Sequence, residues 1–454
     1  MTTETEPKTS EETVRHETSG DEVIESAMTF RATHLFPRTN LQMVRRPDGT
    51  LILSTGPLER PVPRSLAAAL AEQAGLLGER TLIAQRDSTG EDWVRRSYTD
   101  VKDTADRVCG WLSAHATGRD RVLIVTGNSL AHAELVFGAA AAGVPVCPVS
   151  PQYAMGVTGE HGRLRHVVGL LRPTIVFAEQ VGPIATALRQ VLTDEATVIC
   201  TDPQHWPGAV DWQDVRTHAP VADPAATIAA VDPDTPLRYM LTSGSTGLPK
   251  IVVQTNKMWC TLFTAASSVL AEASGWGVRT LDWMPWSHVS GISVLIGAMV
   301  NGGSYYIDDG RPTPELFGRT LRNIAEVQPL FFANVPYAFG MLCDALETDA
   351  HLRERFYEHL QLCLYGGAGL SQPVYDRFQA MAEQTIGERI MFTTGYGSTE
   401  TTAGVMTITW PTTKVGVGLP VPGVETKLIP LDEDHTHFTE FPAARCRKVV
   451  LGIM

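Results

Sequence analysis

From Arg121 onward the chain alternates short apolar β-type runs with longer helical stretches, and this rhythm limits the architectures open to it. Val122-Leu123-Ile124-Val125 reads as a strand, 128–142 as an Ala-rich helix, and Val144-Pro145-Val146-Cys147 as extended again. Residues 174–178 and 197–200 are further strand candidates separated by helical pattern. A second series starts near Leu237, with strand candidates at 280–283, 304–307, 330–334, 362–365 and 389–393. Strands alternating with helices predict α/β structure, with mainly parallel sheets covered by helices on both faces. The stretch 223–236, with its prolines and aspartates, is expected to link the two series. Residues 65–75 read as a helix with Ser65 as N-cap. Pro47-Asp48-Gly49-Thr50 is a turn between extended pieces.

The densest chemical signal lies at the start of the second series, in Leu241-Thr242-Ser243-Gly244-Ser245-Thr246-Gly247-Leu248-Pro249-Lys250. Apolar segments flank it on both sides, so it reads as a loop between two strands. Glycines let backbone N–H groups approach and surround an anion. Hydroxyls add donors, and Lys250 adds a point charge. The composition suits a polyphosphate. A flexible Gly/Ser turn is the competing reading, and the coincidence of hydroxyls, glycines and lysine weighs against it. The Walker pattern does not fit, because Leu248-Pro249 separate Gly247 from Lys250. That argues against a P-loop kinase or ATPase. A serine hydrolase is equally disfavoured, since no Gly-x-Ser-x-Gly elbow occurs.

Composition narrows the partners. The net charge is −13, from 37 Lys+Arg and 50 Asp+Glu. A nucleic-acid partner is therefore not expected, since phosphate backbones call for a basic surface. A bound nucleotide has to be held by local donors. The seven cysteines form no Cys-x-x-Cys pair. A reducing, cytoplasmic setting is expected, without a disulfide framework or zinc site. The N-terminus has no apolar signal-peptide core, and the longest apolar run, 135–149, is interrupted by Gly and Pro, so no membrane span is expected. Three segments are expected: a disordered acidic tail over 1–27, the main domain over 28–430, and a tail over 431–454 of different character. His435 and His437 in that tail lack further spaced ligands and are not read as a metal site.

Thr242-Ser243-Gly244-Ser245-Thr246-Gly247-Leu248-Pro249-Lys250 resembles the phosphate loop of the adenylate-forming superfamily, which includes acyl-CoA synthetases, aryl-CoA ligases, luciferases and peptide-synthetase adenylation domains. Gly395-Tyr396-Gly397-Ser398-Thr399-Glu400 resembles its second signature, and Tyr365-Gly366-Gly367-Ala368-Gly369 its adenine-contacting strand end. Four segments are similar to bacterial feruloyl-CoA synthases: 282–288, 306–310, 334–336 and 385–390. The likeness runs from about residue 30 to about 428. It implies the superfamily's large N-terminal domain, with two mainly parallel sheets and the beginning of a small β-rich subdomain.

The resemblance implies ATP-dependent activation of an aromatic carboxylic acid through an acyl-adenylate, followed in full-length relatives by thioester formation with CoA. ATP, Mg²⁺ and CoA are the implied cofactors and co-substrates. Thr242, Ser243, Gly244, Ser245, Thr246, Gly247 and Lys250 would hold the β- and γ-phosphates. Thr399 would meet the α-phosphate and Glu400 would hold Mg²⁺; an exposed loop carboxylate is the plainer reading of Glu400. Gly366, Gly367, Ala368, Gly395, Tyr396 and Gly397 would surround adenine, with Tyr396 as a stacking face. His288 would wall the acyl pocket, against the plainer reading of a core histidine. Trp286, Tyr337 and Thr394 are weaker pocket candidates. Past Pro430 the ribose-binding aspartate, the hinge and the mobile lysine-bearing domain of the superfamily are not read. The expectation is a truncated or replaced terminus, and the alternative function is a nucleotide-binding remnant without turnover.

Overall fold

The computed structural model describes residues 13–14, 29–31, 40–47, 49–117, 120–155, 161–243, 247–270, 279–429 and 449–453. Two large sheets and one small one organise them. In the seven-stranded sheet, Val210–Asp211, Thr197–Cys200, Ile175–Phe177, Val122–Ile124, Val146–Pro148 and Pro236–Ser243 run parallel. Pro249–Thr255 closes its edge antiparallel. The central strands Ile175–Phe177, Val122–Ile124 and Val146–Pro148 are apolar at every position because both faces are covered. Val122, Ile124, Ile175 and Phe177 pack on helices Tyr98–His115 and Leu130–Ala142. Leu123, Val176 and Val198 point the other way, onto Gly162–Leu171 and Ala185–Val191.

The nine-stranded sheet carries the second series. Thr81–Arg86, Ser304–Ile307, Arg279–Asp282, Phe331–Asn334, Leu362–Gly366 and Met391–Gly397 lie parallel in that spatial order. Trp93–Ser97 borders one side antiparallel, and Gly404–Thr407 with Leu419–Pro420 the other. Leu66, Leu70, Tyr98, Phe137, Leu295 and Tyr305 belong to one core that joins helices Leu66–Leu77, Tyr98–His115, Leu130–Ala142 and Val289–Val300 to this sheet. This is the expected α/β architecture of helix-flanked, mainly parallel sheets. Ser65 caps its helix as expected, its hydroxyl accepting from Ala68 N.

Two expectations change. The stretch 223–236 is not a bare linker, because Pro224–Ala230 is helical. Asp223 accepts from Ala226 N, and proline occupies the first turn, where its missing N–H costs nothing. The tail over 1–27 also contains a paired piece, with Thr13–Val14 antiparallel to Val44 and Met43. The reason is an edge: Gln42–Arg45 and Leu51–Ser54 form a hairpin whose outer strand offers unpaired backbone groups. The rest of 1–27 lies outside the described residues. Val424–Leu428 pairs with the hairpin's other strand, and Val449–Ile453 with Val424–Leu428, completing a five-stranded antiparallel sheet. Residues 430–448, with His435 and His437, lie outside the described residues.

Candidate adenylation site

The loop that dominates the sequence joins an antiparallel hairpin, Pro236–Ser243 and Pro249–Thr255, in which Thr242 faces Lys250 and Ser243 faces Pro249. Gly244, Ser245 and Thr246 lie outside the described residues. Gly247 is exposed with φ +81°, a conformation L side chains resist. Lys250 is exposed and, among the described residues, has no ion-pair partner. Side chains alternate along a strand, so Lys250, Val252 and Gln254 share a face. At the far end of that face Gln254 donates from Nε2 to the Thr399 carbonyl at 2.6 Å. The phosphate-loop hairpin is thereby tied to the second signature.

That second signature follows from how strand Met391–Gly397 ends. Gly395 lies beside Gly366 in the parallel register, so the two glycine motifs are neighbours. The chain then turns back: Ser398 N donates to Thr401 Oγ1 at 2.8 Å, and Thr401 Oγ1 donates to the Ala403 carbonyl at 3.0 Å. Gly397 meets Gly404 across the returning strand. A Cβ at 397 would lie 1.9 Å from the Ala403 carbonyl oxygen, so glycine is required there by the backbone itself. Gly366 differs, since a Cβ would have only Leu364 Cδ2 at 3.8 Å and Gly395 O at 3.9 Å nearby.

A cavity of about 330 Å³ opens at this junction. Its wall includes Gly366, Gly367, Gly395, Gly397 and Thr399. His288, exposed at the N-cap of helix Val289–Val300, lines it too. Leu262, Phe263, Met284, Val294 and Leu364 give the wall an apolar stretch. Thr394 also lines it, with its hydroxyl donating to the Tyr365 carbonyl at 3.1 Å. Ala368 and Glu400 are exposed beside these motifs. Tyr396 is half-buried against the cluster containing Leu262, Val405 and Met406.

Two weaker pocket candidates fall elsewhere. Trp286 is fully buried, donating from Nε1 to Tyr305 Oη at 3.1 Å. Tyr305 Oη in turn donates to Asp282 Oδ2 at 2.9 Å. Burial raises the Asp282 carboxyl to about 7. This chain pins the segment leading to His288 rather than facing a ligand. Tyr337 is 65% exposed and is not part of the cavity wall.

No group of three or more His, Cys, Asp or Glu able to hold a metal occurs among the described residues. A lone exposed carboxylate fits Mg²⁺ in one way, as a partner for an ion that arrives with a triphosphate and keeps most of its ligands as phosphate and water. No helix among the described residues is long and apolar enough to cross a membrane.

Sequence reasoning missed Ser267 and Asn301. Both line the cavity, with the Ser267 hydroxyl donating to Asn301 Oδ1 at 2.7 Å. No local signal singles them out: helix Asn256–Leu270 carries several other polar residues, and Asn301 is the C-cap of Val289–Val300.

The family model for AMP-binding enzymes matches residues 70–439. The chain belongs to that family, and its curated relatives include fatty-acid–CoA ligases and a carboxylic acid reductase. It is 27% identical over 266 residues to a medium/long-chain-fatty-acid–CoA ligase of Mycobacterium tuberculosis, covering 55% of this chain and 39% of that protein. It is 25% identical over 341 residues to a long-chain-fatty-acid–CoA ligase of Thermus thermophilus, covering 74% and 57%. The chain thus matches well under two thirds of either relative's length. Among solved structures it resembles a benzoate CoA ligase from Burkholderia xenovorans, with TM-score 0.66, 19% identity, and coverage of 84% of this chain and 70% of that one. It also resembles a long-chain-fatty-acid–CoA ligase from Archaeoglobus fulgidus, with TM-score 0.69, 16% identity, and coverage of 87% and 76%. These likenesses establish the fold. The family match extends to 439, beyond the expected boundary at 430.

Proposed function

We propose that this chain activates an aromatic, feruloyl-like carboxylic acid with ATP, forming an acyl-adenylate, and that CoA thioester formation follows as the second half of the reaction. The observation that carries this reading is one cavity in which the paired glycine motifs and Thr399 share a wall with an apolar stretch and His288.

The reaction needs no strong base. A carboxylate oxygen attacks the α-phosphorus, the bond from that phosphorus to the bridging oxygen breaks, and pyrophosphate leaves with the electron pair. The obstacle is that one anion attacks another, so positioning and charge neutralisation carry the catalysis. In this reading 242–247 and Lys250 hold the β- and γ-phosphates, and Lys250 neutralises charge on the leaving group. Thr399 orients the α-phosphate. Gly366, Gly367, Ala368, Gly395 and Gly397 leave room for adenine against backbone, with Tyr396 beside it. Magnesium bound with the triphosphate would shield its charge, with Glu400 as the protein's ligand to it. His288 closes the pocket over the acid's carboxylate end.

Pyrophosphate exchange with a panel of aryl and aliphatic acids tests the assignment. Aryl acids should support exchange, Lys250→Ala should lower it by on the order of 10² or more, and Glu400→Gln should raise the magnesium concentration required. Binding of Mg-ATP with no exchange for any acid would instead indicate a nucleotide-binding chain without turnover.

A further inference from the structure

The cavity has two chemically distinct ends. Ser290, Ser293, Val294, Gly297 and Asn301 all line it and recur every three to four residues, so one face of helix Val289–Val300 forms a wall. From 290 to 301 that face runs roughly 16 Å, at about 1.5 Å per residue. Helix Asn256–Leu270 runs alongside in the same direction: a Cβ at Gly297 would approach Phe263 to 3.3 Å, and Ser267 bonds Asn301. Gln254, just before that helix, holds Thr399. The nucleotide motif therefore sits near the start of these helices, and the Ser267–Asn301 pair sits near their other end.

The geometry points to Ser267 and Asn301 as the specificity floor of the acid pocket, taking a hydroxylated aryl acid by its distal substituent. This rests on the aryl-acid activation proposed above. Asn301 Nδ2 donates to the Gly297 carbonyl at 2.8 Å, and Asn301 Oδ1 accepts from Ser267. Those two bonds use one amide hydrogen and the serine hydroxyl hydrogen. Ser267 Oγ keeps its lone pairs for a phenolic O–H, and Asn301 keeps a second N–H for a neighbouring ether oxygen. Phe263, Ala266, Leu270 and Val294 also line the cavity, offering an aromatic ring an apolar enclosure. Phe263, Ser267 and Asn301 also line a second cavity of about 370 Å³. The floor is therefore a partition one side chain thick, and its polar pair marks where the acid ends.

Titration calorimetry with sulfamoyl analogues of the 4-hydroxycinnamoyl and cinnamoyl adenylates tests this without requiring turnover. The full chain should bind the hydroxylated analogue about tenfold more tightly or better, as expected for a site that pairs with a hydroxyl. Ser267→Ala should bring the ratio of the two dissociation constants close to one, while Ser267→Thr, which keeps the hydroxyl, should preserve it. A ratio near one in the unaltered chain, or one unchanged by Ser267→Ala, overturns the floor assignment and leaves aryl activation standing. A dodecanoyl analogue binding more tightly than both would overturn the aryl reading and this assignment together. So would failure of every analogue to bind.

Discussion

Gln254 and Thr399 are 145 positions apart, yet the Gln254 side-chain amide donates to the Thr399 carbonyl at 2.6 Å while its oxygen accepts from Trp259 Nε1 at 3.1 Å. One fully buried side chain thus joins the edge hairpin of the seven-stranded sheet to the turn that ends the nine-stranded sheet's central motif. The strand that carries Lys250 and the turn that carries Thr399 are held together through it.

Gln254→Leu should therefore weaken binding as well as folding. It leaves the Trp259 indole N–H buried without its partner, at a cost of about 1–3 kcal/mol. It also frees the Thr399 carbonyl. Urea unfolding should show the stability loss, and calorimetry with Mg-ATP should show weaker binding under conditions where the variant is still folded. Unchanged nucleotide affinity in the folded variant would show that this bridge does not position the site.

The glycines of the two motifs should respond differently to alanine. At Gly397 the new Cβ meets the Ala403 carbonyl oxygen at 1.9 Å, so the hairpin has to open. Overpacking of this kind costs on the order of 1–3 kcal/mol. At Gly366 no atom beyond its chain neighbours lies closer than 3.8 Å to the new Cβ, and the residue lines the cavity. Gly397→Ala should lower the melting temperature, whereas Gly366→Ala should hold it and reduce Mg-ATP affinity. Thermal unfolding alongside calorimetry separates a glycine required by packing from one required by a ligand.

The parallel strands were readable because each is a short apolar run between breakers, buried on both faces. Val122–Ile124, Thr197–Cys200 and Ser304–Ile307 fall where their β-type runs do. Local rules fared less well where a distant partner decided the outcome. The sequence pattern places the helix start at Asn128, but Ser129 caps the helix, accepting from His132 N. Asn128 instead spans to the other sheet, donating to the Met284 carbonyl at 2.9 Å and accepting from Trp286 N at 2.9 Å. Trp286 looked like a pocket wall for the same reason, since its neighbours in sequence line the site while its own ring turns into the core. The two glycine-rich motifs are legible in sequence because their glycines and hydroxyls are concentrated in a few consecutive residues. The Ser267–Asn301 floor joins two helices across 34 positions, and no short motif announces it.

Two buried groups give opposite dependences on pH. Burial raises the Asp282 carboxyl from 3.8 to about 7, with Asp308 adding to the rise and Arg311 opposing it. Between those values the folded chain holds a proton that the unfolded chain has lost, so this contribution to stability falls as pH rises. Burial lowers His132 from 6.5 to about 4, aided by Arg238 and opposed by its bond to the Gly127 carbonyl. Between those values the unfolded chain holds the extra proton, so this contribution rises with pH. The two oppose each other from about pH 4 to 6.5, and only Asp282 still titrates just above that range. Asp282→Asn removes the falling contribution without emptying the position between Met284 N and Tyr305 Oη. The variant's melting temperature relative to the unaltered chain should therefore climb from pH 4 to about pH 7 and level off above it. A difference that stays constant across that range, or shrinks, would show that Asp282 does not carry its proton in the folded state.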